Sequence, residues 1–200
     1  MTLRKFSILL MIAGIVFIAY GGSQIIKTNK AQSESLAEAK TIVYDQTDKQ
    51  TLHTEKSPTT IAQQFAPAQG ETVGILSIPR LEAELPIIEG THEDELEKGV
   101  GHYKGTAYPL QNDQIVLSGH RDTVFRGMGE LELGDILTVE MPYGTFSYEI
   151  TDFNIVSADD RTVIAPTSPN EVLTVTTCYP FRYIGDAPDR YIITAIPINE

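Results

Sequence analysis

Residues 71–200 predict an all-β fold, a sandwich or barrel, and residues 6–26 predict a membrane-spanning helix ahead of it. The β assignment rests on the rhythm after Gly70, where short apolar runs are each cut by Gly, Pro, Asn or Asp. The helix rests on Phe6 to Ile26, FSILLMIAGIVFIAYGGSQII, which contains no charged side chain. About 20 apolar residues at about 1.5 Å rise match a hydrocarbon core of ~30 Å.

Arg4 and Lys5 precede that run, and positive flanks stay in the cytoplasm, so the remainder of the chain is expected outside. A cleaved signal peptide is the alternative. Its apolar region is usually ~7 to 15 residues, shorter than this one, and Ala19-Tyr20-Gly21 matches a cleavage site poorly, so a retained anchor over residues 1–26 is expected. Residues 27–70 turn polar, with Pro58 and Pro67 near the end, and read as a stalk. Within it Ala31 to Lys40 (AQSESLAEAK) favours a short helix, but Leu36 is its only large apolar residue, so its expected role is spacing. Residues 71–200 then form one catalytic-sized domain.

In that domain the predicted strands are Gly74 to Ile78, Leu85 to Glu89, Gln114 to Ser118, Ile136 to Met141, Thr145 to Val156, Glu171 to Thr177 and Tyr191 to Pro197. Asp94 to Lys98 suggests a brief helix. Pro142-Tyr143-Gly144 separates two β-rich runs and predicts a hairpin.

Acidic residues outnumber basic ones, 27 to 15, so nucleic acid, which requires clustered Lys and Arg, is not an expected partner. The single cysteine excludes an internal disulfide. A lone thiol is either a small buried hydrophobe or a group kept for chemistry. No His-x3-His or Cys-x2-Cys spacing is present, so neither a metal nor another cofactor is expected.

His120 follows the apolar strand Gln114 to Ser118 on a glycine-preceded turn, and Cys178 ends the β-branched run Val172 to Thr177 before Tyr179-Pro180. Parallel, adjacent strands would bring both to one rim. Arg190, opening the last strand, reaches the same rim if that strand runs antiparallel. A thiolate to attack an amide, an imidazole to pass a proton and a guanidinium to face the oxyanion suit acyl transfer. His102 is the rival histidine, set for a structural hydrogen bond or a pocket wall, while His53 and His92 are expected in solvent. Asp159-Asp160 and Glu93-Asp94-Glu95 are expected as surface charge.

Leu117-Ser-Gly-His-Arg-Asp-Thr123, Thr174-Val-Thr-Thr-Cys-Tyr-Pro-Phe181 and Asp189-Arg190-Tyr191-Ile192 resemble the histidine, cysteine and arginine motifs of sortases. Gly99-Val-Gly-His-Tyr-Lys-Gly-Thr106 and Leu85-Pro-Ile-Ile-Glu-Gly90 resemble further signatures of the family, and Ile184-Gly-Asp-Ala-Pro188 is similar to class D members of Bacillus-like organisms. After Tyr108-Pro109 the chain has Leu110-Gln-Asn-Asp where many relatives place glycine. The resemblance implies a closed β-barrel of about eight strands with short helices. It implies an enzyme outside a Gram-positive cell, held by its N-terminal helix in the cytoplasmic membrane. Its expected partners are proteins bearing an LPxT-type sorting signal and a peptidoglycan-precursor amine as acceptor. It assigns Cys178 as nucleophile, His120 as acid/base and Arg190 as oxyanion or substrate stabiliser, with Ser118, Thr177 and Tyr179 as candidate substrate-binding residues. A secreted cysteine peptidase, or a wall-binding module without catalysis, remains the alternative.

Overall fold

The structure, a computed structural model, describes residues 2–53, 57–183 and 185–198. Eight strands close into a barrel: β1 (Thr72–Ile78), β2 (Ala83–Glu89), β3 (Val100–His102), β4 (Gln114–Gly119), β5 (Ile136–Met141), β6 (Gly144–Ser157), β7 (Val172–Tyr179) and β8 (Asp189–Pro197). Their order around it is β1-β2-β3-β4-β7-β8-β6-β5. Two neighbouring pairs run parallel, β2 with β3 and β4 with β7, and the others antiparallel. Among the described residues, closure leaves no strand without a neighbour on each side.

Alternation along the strands fills the interior. Leu76, Ile87, Leu117, Leu137, Val139, Val175 and Ile193 are buried in one core cluster, as side chains two residues apart share a face. The predicted hairpin forms, with Met141 opposite Gly144. The strand missed in the sequence is β3, because Gly101 within it and Gly99 just before it mask the β signal. A Cβ on Gly101 would stand 2.4 Å from the Gly90 carbonyl oxygen, so close backbone approach requires glycine there. The brief helix forms as α3 (Glu93–Leu96), between β2 and β3.

α1 spans Thr2–His53 as one helix, apolar enough in its first half to cross a membrane. It does not stop at residue 26, and the following segment is not free of the barrel. Ala39 and Val43 are buried against Ile75 of β1, with Leu36 beside them. The stripe Leu36, Ala39, Val43 follows helical spacing, which small residues make easy to overlook. Thr72 Oγ1 donates to Glu38 at 2.6 Å and Tyr44 donates to Glu140 at 2.9 Å, fastening the helix to β1 and β5. Pro58–Gln64 forms α2, capped by the Ser57 hydroxyl, and buries Ala62 in the core cluster. In the barrel order β1 lies four strands from β7 in either direction, so α1 docks on the wall opposite β7.

His102 is 1% exposed. Its Nδ1 donates to Glu89 at 2.6 Å and its Nε2 to the Ala107 carbonyl at 2.9 Å. The Thr106 hydroxyl also lies 3.2 Å from Nε2, so both ring nitrogens have polar partners inside the barrel. Tyr108 donates to the same Glu89 oxygen at 2.5 Å and stacks on the imidazole at 4.0 Å. Burial alone would raise the Glu89 carboxyl, but the His102 and Tyr108 hydrogen bonds outweigh it and hold the group below the usual carboxylate range. Its contribution to stability is therefore complete above about pH 4.3, the value for free Glu, and is lost as pH falls through the folded value. Glu89→Gln should cost on the order of 3 kcal/mol at pH 7 by removing the buried carboxylate that His102 and Tyr108 both bond. In denaturant titrations the deficit should shrink below about pH 4. A deficit that is the same at pH 3 and pH 7 would remove the Glu89 charge from the account.

Candidate active site

Strand direction brings three distant residues to one rim. β4 and β7 are parallel with Gly119 opposite Thr177, so the next residues, His120 and Cys178, leave the barrel on the same side. β7 and β8 are antiparallel with Cys178 directly opposite Arg190. Side chains so placed stand about 4.5–5.5 Å apart at Cβ. The turn after β4 is packed tightly: a Cβ on Gly119 would stand 2.5 Å from the Phe125 ring. The buried Thr177 hydroxyl donates to the Gly119 carbonyl at 2.7 Å, tying the ends of β4 and β7 together.

The outer face of the same strands forms the floor of a cleft of about 660 Å³. Val116 pairs with Thr174, Ser118 with Thr176, Thr176 with Ile192, and Cys178 with Arg190, so the period of two places them all on one side. His120, Cys178 and Arg190 all line this cleft. Val163 and Ile164, in the β6–β7 connection, form one wall, and Leu96 and Tyr103 contribute another part of the lining. Gln114, at the start of β4, holds the first wall: its Nε2 donates to the Val163 carbonyl at 2.8 Å and its Oε1 accepts from Ala165 N at 2.9 Å. A second depression of about 400 Å³ adjoins the same three residues on the side of the β7–β8 connection.

Cys178 is a half-buried free thiol and His120 is half-buried. Arg190 makes no ion pair among the described residues; its Nη1 donates to the carbonyls of Asp189 at 2.9 Å and Ala187 at 3.3 Å. The acids beside it in sequence, Asp186 and Asp189, are thus not its side-chain partners. Of the three expected substrate contacts, Ser118 lies on the cleft floor. Thr177 reaches the cleft, but its hydroxyl is committed to Gly119. Tyr179 is not in the cleft lining and packs in an aromatic cluster, stacked on Tyr191 at 6.0 Å and edge-on to Phe181 at 5.5 Å.

His102 belongs to the buried network with Glu89, and His92 is exposed ahead of α3. The His53 side chain and Ile184 lie outside the described residues. Asp160 accepts from the hydroxyl and amide of Thr162, which hold its carboxyl below the usual range. The cleft walls, Gln114 and Arg121 escaped the sequence because each acts through contacts made across the fold.

Residues 76–198 match the family model described as the sortase domain. The chain belongs to the sortase family. Sortase D of Bacillus subtilis (strain 168) is 49% identical to this sortase over 181 residues, 90% of this chain and 91% of that one. Among solved structures, a Sortase D5 transpeptidase of Clostridium perfringens superposes with a TM-score of 0.67 at 27% identity, covering 85% of this chain and 99% of that chain. The SrtA sortase of Actinomyces oris gives a TM-score of 0.62 at 28% identity, covering 67% and 83%. This sortase is therefore a cysteine transpeptidase of the closed-barrel type, with a role in anchoring proteins to the cell wall. Membership implies sorting-signal substrates and a cell-wall acceptor, and the N-terminal helix is consistent with a single-pass anchor.

Proposed function

We propose that this sortase cleaves an LPxT-type signal after Thr and joins the new carboxyl end to a peptidoglycan-precursor amine, with Cys178, His120 and Arg190 as its catalytic residues. The observation that carries this is the pairing of Cys178 with Arg190 across β7 and β8, with His120 on the same rim. The Cys178 thiolate adds to the Thr carbonyl and the electron pair moves to oxygen, where the Arg190 guanidinium faces it. The carbonyl returns, the C–N bond breaks, and the leaving amine takes a proton from His120. The acceptor amine then attacks the thioester, gives a proton to His120, and the C–S bond breaks to release the Cys178 thiolate. The cleft walled by Val163 and Ile164 suits the apolar part of the signal, and the second depression leaves the other side of Cys178 open for the amine.

Residues 71–200 form the catalytic domain in this account. Residues 1–26 anchor it with Arg4 and Lys5 on the cytoplasmic side, and residues 27–70 connect the two. Ser118 is the substrate contact of the floor, while Thr177 holds the strands in register. Mass spectrometry with a panel of LPxT peptides and amines tests the reaction. An acyl adduct on Cys178 and amide products whose yield follows amine concentration are expected. Products of water alone, at every amine concentration, would make the enzyme a peptidase.

A further inference from the structure

The β7–β8 connection, residues 180–188, joins Cys178 to Arg190, and two guanidiniums hold its backbone. Arg190 Nη1 takes the carbonyls of Ala187 and Asp189. Arg121 takes three more: Nη1 donates to Pro180 O at 3.0 Å, and Nη2 to Tyr183 O at 2.7 Å and Gly185 O at 3.1 Å. Arg121 is 7% exposed, whereas the acid nearest its Nε, Asp122, has a side chain 71% exposed. A buried guanidinium is tolerated only when its donors are met, and a planar fork meets three divergent carbonyls where an ammonium would not. The residue before Arg121 is His120, on a turn in which Phe125 N donates back to the His120 carbonyl at 3.1 Å.

We propose that Arg121 is the positioning residue that sets His120 against Cys178 and Arg190, by clamping the connection between the latter two to the turn that carries the former. It touches no substrate. It acts through the loop, and the inference rests on the catalytic assignment proposed above. Acyl transfer requires reacting groups near contact geometry, where a displacement of about 1 Å can cost on the order of 100-fold. The cleft floor lies on β4, β7 and β8 and does not depend on the loop, so binding of the signal should be spared.

The test is steady-state kinetics of the full chain with an LPxT peptide, at a temperature well below the melting point of each variant. Arg121→Lys, which keeps the charge but not the fork, should lower kcat on the order of 10- to 100-fold while KM stays within about twofold. Gly185→Ala is the second variant. Its position is exposed, has φ +101° and has open space where a Cβ would stand. Alanine is strained there and moves the carbonyl that Arg121 holds, without touching the barrel core. The same split, smaller in size, is expected. An unchanged kcat in folded Arg121→Lys, with only a lowered melting point, overturns the proposal and makes Arg121 a structural residue. If Arg121→Lys does not fold, an unchanged kcat in Gly185→Ala overturns it. A wild-type enzyme whose acyl adduct lies elsewhere than Cys178 overturns the catalytic assignment, and this inference with it.

Discussion

Cys178→Ala should form no acyl-enzyme and lose at least about 10⁴-fold in transpeptidation rate, because removing a nucleophile leaves only binding and electrostatics to act. The chain offers no second thiol. The substitution removes one half-exposed sulfur at the rim, outside the core, so the melting curve should shift by less than about 1 kcal/mol equivalent. Those two expectations together separate chemistry from folding. They also separate the enzyme from a wall-binding module, which would keep its binding after the thiol is removed or alkylated. Cleavage of an LPxT peptide by Cys178→Ala at a comparable rate would mean that another group attacks the carbonyl.

The rim was legible in sequence because parallel strands ending in His120 and Cys178 must deliver them to one side, and the β4–β7 and β7–β8 pairings do so. Strand boundaries such as Ile136 to Met141 were equally plain, since a solvated outer face and an apolar inner one leave a period of two. β3 was hidden by glycines that serve backbone approach instead of β propensity. The docking of α1 was hidden because Leu36, Ala39 and Val43 bury little area each and only the fold supplies Ile75 opposite them. Tyr179 was expected at the substrate because of its proximity to the thiol. It adjoins Cys178 in sequence, but neighbours in a strand point to opposite faces, and its ring joins Tyr191 and Phe181 instead of the cleft. Gln114 and Arg121 bond to backbone carbonyls 49 and 59 or more residues away, which no local pattern encodes.

Arg190→Lys should lose on the order of 100-fold or more in acylation rate with an unchanged melting curve, the loss typical of removing one oxyanion donor. Position 190 carries a guanidinium whose Nη1 is already committed to the Ala187 and Asp189 carbonyls. Among the described residues Nε and Nη2 have no protein acceptor, so the planar fork is fixed at one corner with its other donors available to a substrate oxygen. Lysine has one nitrogen for both tasks. If the ammonium keeps the two loop carbonyls it abandons the oxyanion, and if it follows the oxyanion it releases the loop, so charge alone does not restore function. A surface role predicts otherwise: an exposed ion pair is worth under ~1 kcal/mol, or less than about fivefold, and lysine would largely replace it. No such pair is formed with Asp186 or Asp189 among the described residues. Single-turnover acylation of Cys178 by an LPxT peptide, followed by mass, measures the step directly. A rate within fivefold of wild type in a folded Arg190→Lys protein would take the oxyanion away from Arg190 and require another donor on the Cys178 rim.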